Sequence, residues 1–363
     1  MTQWRLGSLA LYCLYGAIAA APCVAAQPVE PAVEAANRFL ATLSEAQRAK
    51  VVYAWSDDAQ RARWSNFPTG FVPRGGLSLA DMSGPQRAAA LALLKVVLSP
   101  KGYEKVDAIR MADDDFKANG SKRGPRGNGP PPPGAAPGRG PPPRGDAMFG
   151  ADLYYVSFVG KPSLQLPWML QFGGHHLALN ITMSGSTGIM TPSLTGAQPA
   201  VFTVNGRTIR PLGAESDKGL ALVQSLAVDQ RKRAILNYRV ADLVLGPGQD
   251  AKRIAPEGLP VSAMNAQQKA LLTGVIEEWV GIMNDAAAEP RMAQLKADLN
   301  DTWFAWSGPL DFSQGTNITA YYRIQGPHLV IEYAPQSDEP ANHVHTIYRD
   351  PTNDYGKRLD GAQ

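Results

Sequence analysis

The chain has 363 residues, 44% hydrophobic and 18% charged, which suits a folded domain with a sizeable core and excludes a disordered chain. With 35 basic and 32 acidic side chains the formal net charge is +3, so no nucleic acid partner is expected.

At the amino terminus Arg5 precedes an apolar run from Leu6 to Ala21, and small residues follow through Ala25 and Ala26. The run is too short to span a bilayer and has the layout of a secretory signal over residues 1–26, with Val24 and Ala26 at the −3 and −1 positions. A retained anchor is the alternative. Cleavage there predicts a secreted or periplasmic protein with no membrane span in the mature chain. Losing Arg5 lowers the charge from +3 to +2, and both cysteines, Cys13 and Cys23, leave with the segment. The mature chain then holds no disulfide, no thiolate nucleophile and no Cys-based metal site.

Four stretches share one pattern, an apolar residue, a capping position and Gln three residues further on. They begin at Leu43, Met82, Leu226 and Met264, with Ser44, Ser83, Ala227 and Asn265 at the cap and Gln47, Gln86, Gln230 and Gln268 behind them. Ser or Asn there can satisfy free helix N–H groups while Gln reaches back, so four helix starts are predicted. Either four helices begin alike or a helical unit is duplicated. Between Gly120 and Gly145 nine prolines and eight glycines mark a flexible insertion, bounded at 118–147. Strands are then expected at 153–159, 168–183 and 201–204, helices around 216–245 and 262–287, and a hairpin over 318–333 across Gly326-Pro327. The order predicts an α+β fold, an antiparallel or mixed sheet with several packed helices, in a single large domain over 27–363.

Four of the five histidines fall in two pairs, His175-His176 and His343-X-His345. With thiols absent, imidazole is the natural metal ligand. In a strand, His343 and His345 project to one face. Read as part of a strand, His176 shares the polar face of Ala178, Asn180 and Thr182, and His175 points to the core beside Leu177 and Leu179. The expected centre is therefore His176, His343 and His345 around a divalent transition metal ion. Zinc is the first choice, copper or iron the alternatives. His175 and Asn180 are supporting groups or substitute ligands. Glu332 and Asp350 are the candidate proton carriers, and Arg349, Asp354, Tyr355 and Tyr322 the candidate substrate contacts. Trp303, Trp306 and Tyr321 could stack on a sugar or fill the core. The Trp64–Pro68 run is equally ambiguous. A metal-free polar pocket is also compatible with these residues.

Several of these segments resemble a family catalogued as domain of unknown function 3500. They are Trp64 to Pro68, Pro167 through Asn180, Phe304 to Trp306, Tyr321 to Pro327, and Asn342 through Gly356. The resemblance spans nearly all of the mature chain and implies one domain and a secreted or envelope location. It supplies no activity. From the residues, the leading expectation is a metal-dependent hydrolase acting on a small polar molecule or polymer through activated water, with oxygen chemistry open. The alternatives are a non-catalytic extracellular protein binding a polar ligand such as a carbohydrate, and an envelope scaffold.

Overall fold

In the computed structural model, the described residues are 1, 29–119, 148–250, 252–311 and 315–359. The predicted signal beyond Met1, and residues 120–147 of the Pro/Gly-rich insertion, lie outside them.

All four predicted helix starts are present. Ser44, Ser83 and Asn265 each accept from the backbone N–H of the Gln three residues on, and each Gln accepts from the cap N–H in return. Ala227 has no side-chain acceptor, yet Gln230 Oε1 still takes its N–H at 2.9 Å. The elements then run twice through a similar order, with three additional short elements in the first half. The first half has α1 (Glu30–Ala41), α2 (Glu45–Val51), β1 (Val52–Tyr53), α3 (Asp58–Arg61), β2 (Leu77–Ser78), α4 (Gly84–Val97) and α5 (Pro100–Asn119). It continues with β3 (Tyr155–Val159), β4 (Trp168–Gly174), β5 (Leu177–Ser184), β6 (Thr187–Ile189) and β7 (Ser193–Ala197). A small hairpin, β8 (Phe202–Val204) with β9 (Arg207–Ile209), follows. The second half has α6 (Gly213–Ser225), α7 (Val228–Ala234), β10 (Leu259–Pro260), α8 (Ala266–Val280) and α9 (Asp285–Ala297). It ends with β11 (Trp303–Ser307), β12 (Tyr321–Gly326), β13 (Leu329–Pro335) and β14 (Val344–Arg349).

One mixed sheet joins the halves in the order β1-β3-β4-β5-β7-β14-β13-β12-β11-β10, with β7 and β14 antiparallel at its middle. β2 pairs antiparallel with β3 as β10 does with β11, so the capping pattern recurs at matching places on either side of the β7–β14 pair. Matching details support this. Gln47 and Gln86 bond each other at 2.9 Å, as Gln230 and Gln268 do at 2.8 Å. Gly76 and Gly258, at φ +96° and +93°, precede β2 and β10. A Cβ on either would lie 2.1 Å from Val156 O or 2.3 Å from Phe304 O, so no other residue fits.

Alternation along the strands sorts the two faces. Phe158, Trp168, Leu170, Leu179, Ile324, Ile331 and Val344 point to the helices and form the main core. Tyr322 lies there too, stacked between Trp306 (6.1 Å) and Tyr333 (5.1 Å), its hydroxyl donating to Glu215 O. It is therefore a core residue rather than a substrate contact. The opposite face carries Ser157, Gln171, Asn180, Glu332, His345 and Arg349 and is roofed by irregular chain. One roofing piece is the segment 236–250, the part of which up to 245 was expected to be helical. The helix ends at Ala234 because β11 takes the backbone that follows, Leu236 N–H donating to Trp306 O and Val240 N–H to Ser307 Oγ. Glu332 accepts from Val244 and Leu245 N–H, and Arg349 donates to Leu245 O.

Among the helices Glu278 (2% exposed) receives Lys101 and Lys218 at 2.7 and 2.5 Å, while Lys105 bridges Glu215 and the Glu278 carbonyl. Burial opposes ionisation of Glu278, but the lysines win and hold its pKa at about 2. That pKa lies below the unfolded value, so the carboxylate contributes stability above about pH 4.5 that is lost as pH falls towards 2. Glu278→Gln should therefore melt below wild type at pH 7, and the gap should close between pH 5 and 2 in thermal scans.

Candidate metal centre

The first histidine pair does not lie in a strand. His175 and His176 form the two-residue turn between β4 and β5, and His176 takes a left-handed φ of 59°. Non-glycine residues rarely adopt that conformation, and such strain gathers at functional positions. The period-2 expectation that the two rings diverge is overturned: they stack, with centroids 3.7 Å apart. The turn is fixed by His176 N–H donating to Asn66 O and Gly196 N–H to His176 O. Gly196 is also small by need, since a Cβ there would lie 2.8 Å from Val344 O and 3.3 Å from the His176 ring.

His345 lies on β14 opposite Gly196 of β7 and Ala334 of β13, two small neighbours that leave room for imidazoles. His343 immediately precedes β14 and projects to the same face. The three side chains predicted to cooperate thus meet across 167 residues of sequence. His343 Nε2 is 3.1 Å from both His176 Nε2 and His345 Nε2, and one nitrogen from each ring lies within 4.8 Å of the others. Nitrogens bound tetrahedrally to one zinc ion are about 3.4 Å apart, given bonds of about 2.1 Å. This site can coordinate a divalent metal ion.

Carboxylates hold the rings from behind. Asp338 meets His343 Nδ1 at 2.9 Å, and Asp242 meets His345 Nδ1 at 3.4 Å. A carboxylate only accepts, so each Nδ1 carries the proton and each Nε2 presents a lone pair. The hydrogen bond from His343 draws the Asp338 pKa down to about 2. For Asp242 burial works the other way, but His345 carries its pKa below the ordinary value. Burial lowers the His343 pKa to about 4 against the pull of Asp338, so this ring is neutral and ligand-ready at pH 7. His175 donates Nδ1–H to Asp113 at 2.6 Å and is boxed in by Phe149 and Phe116. The Asn66 amide nitrogen lies 3.3–3.4 Å from both ring nitrogens of His345, so it covers the face of that ring.

The other expected residues have different partners. Glu332 shares the face of His345 but is fully buried and spends its oxygens on Val244 N–H, Leu245 N–H and the Tyr321 hydroxyl. Asp350 follows the far end of β14, roughly 17 Å along the strand from His345. It pairs with Arg291 and accepts from Thr352. Arg349 binds Asp354, Asp250 and Leu245 O, while Tyr355 links Trp64 to Asp250. Asn180 sits in a buried amide chain, accepting from Gln171 and donating to Pro192 O. These contacts brace the roof over the sheet. Asp113, Asp242 and Asp338 were not singled out in the sequence, and Asn66 only as part of the ambiguous Trp64–Pro68 run. Only Asp338, five residues before His343, carried a local signal.

The fold and this cluster define a single-domain α+β protein with a three-histidine site capable of holding a metal ion. The chain belongs to the family described as protein of unknown function DUF3500, whose profile matches residues 25–357. No curated protein and no solved structure matches it. Among the described residues no helix is long and apolar enough to cross a membrane.

Proposed function

We propose that the protein is a zinc-dependent hydrolase, exported to the periplasm or beyond, with His176, His343 and His345 as ligands. One observation carries this reading. The carboxylates behind His343 and His345 fix the proton on Nδ1, so two Nε2 lone pairs face each other at 3.1 Å. Two lone pairs so close repel unless a cation lies between them, and paired carboxylate–histidine units are the usual support of a metal site. An ion held there would supply Lewis acidity and lower the pKa of a coordinated water towards about 7, leaving one position open.

The chain's own groups then divide the work. Asp338 and Asp242 hold the imidazole tautomers. Asp242 and Asp338 are 58% and 60% exposed and can exchange a proton with solvent, a role that fits them better than the engaged Glu332 and Asp350. Elemental analysis of the purified protein tests the proposal. About one equivalent of zinc, with turnover on an ester, amide or glycoside panel that stops on chelation and returns with zinc, is the expected result. Stoichiometric copper or iron would redirect it to oxygen chemistry, and a metal-free protein would end it. Asp338→Asn should weaken zinc binding about 10- to 100-fold, measured by competition with a chromophoric chelator.

A further inference from the structure

We infer that a cavity on the roofed face, lined by none of the three histidines, binds a sugar ring of a carbohydrate chain. The cavity measures about 590 Å³ and lies where the segment 235–240 passes the ends of β11, β12 and β13. That volume is within the range of about 300–1,000 Å³ usual for small-molecule sites. Its floor is made of Ser307, Tyr321 and Pro335, all buried. Ser307 stands opposite Tyr321 across β11 and β12, and Pro335 stands opposite Val344, the residue between His343 and His345. The polar atoms of this floor are already engaged. Ser307 Oγ accepts from Val240 N–H and donates to Tyr238 O, and the Tyr321 hydroxyl donates to Glu332. The floor therefore offers a ligand mainly apolar surface.

The mouth is different in kind. Asn237, Tyr238, Arg239 and Thr319 line the cavity and are all exposed, so it is open to solvent. Tyr238 is 48% exposed, yet its hydroxyl meets both carboxylate oxygens of Glu257 at 2.9 and 2.7 Å, and Arg323 holds Glu257 at 2.7 Å. Fixing the ring in advance lowers the ordering cost of binding. The side chains of Asn237, Arg239 and Thr319 have no hydrogen-bond or ion-pair partner among the described residues. A sugar presents C–H groups on the faces of its ring and hydroxyls, each donor and acceptor, around the edge. An aromatic platform ringed by free amide, guanidinium and hydroxyl groups matches both. A proline-rich peptide would use the platform but has no N–H at its prolines, so the Asn237 carbonyl would go unmatched. A second cavity, about 640 Å³, occupies the corresponding place in the first half, around Trp55 after α2 and Gly160 after β3. There Arg61 already lies over the Trp55 ring at 4.3 Å, which favours the Tyr238 cavity as the sugar site.

Titration calorimetry of the full chain tests this, with cellohexaose, xylohexaose, chitohexaose and a hexaproline peptide as probes. At least one hexasaccharide should bind. Tyr238→Ala should weaken that binding about three- to tenfold, the worth of one aromatic platform, while Tyr238→Phe keeps the ring and most of the affinity. Trp55→Ala should leave it unchanged. Thermal scans of each variant separate lost binding from lost fold. The same titrations in a chelator should give the same result, so a failure of the metal centre would leave this site standing. Silence from all three hexasaccharides would overturn the inference, as would unaltered affinity in Tyr238→Ala, dependence on Trp55 instead, or tighter binding of hexaproline.

Discussion

Replacing His343 and His345 together by alanine should abolish the proposed zinc binding while the fold persists. Structural zinc sites with four ligands bind with about 10–16 kcal/mol, so each ligand is worth about 2.5–4 kcal/mol, or roughly 10²- to 10³-fold in affinity. Losing two of three therefore removes any measurable occupancy. Neither side chain is needed to hold its strand, because Val344 to Tyr348 pair with β7 through backbone bonds and Pro335 to Val330 pair on the other side. Wild-type protein should gain about 2.7 kcal/mol of stability at zinc 100-fold above Kd, and the double variant none. Plasma emission for metal content and thermal scans with and without zinc read both outcomes. A double variant that still binds one equivalent would place the ion elsewhere.

Glu332→Gln lowers stability by about 3–5 kcal/mol while leaving the three histidines in place. The carboxylate is fully buried and accepts from two backbone N–H groups and the Tyr321 hydroxyl, at 2.7–2.8 Å. An amide NH₂ in its place turns donors against donors, and the roofing segment loses its anchor at Val244 and Leu245. Asp242 lies two residues before Val244, so zinc affinity should fall modestly as well. The measurement is denaturant unfolding beside a zinc competition assay. Unchanged stability with turnover abolished would instead restore Glu332 as the proton carrier expected from sequence.

These two experiments separate what was legible in the amino-acid order from what was not. The helix starts were readable because a cap and a Gln three residues later interact within one turn, wherever the helix goes. The 321–335 hairpin was readable because strand alternation and a Gly-Pro turn are equally local. His343 and His345 were paired correctly because extended backbone puts i and i+2 on one side. The same rule failed at His175-His176, where a two-residue turn replaced the strand and stacked the rings.

Where segments met could not be read locally. Nothing near residue 240 announces that β11 and then Glu332 and Arg349 will take its backbone away from a helix. Nor does any spacing bring Asp113, Asp242 and Asn66 to the imidazoles. Arg349, Asp354, Tyr355 and Tyr322 looked like binding groups because they are polar or aromatic, and tertiary packing used those properties to brace the roof and the core. The sequence by itself determined most of the elements, the four helix starts and a supply of imidazoles. The tertiary structure decided which of those imidazoles share one space and which carboxylates stand behind them, because convergence depends on the pairing of β7 with β14 and on roofing contacts that no local spacing encodes.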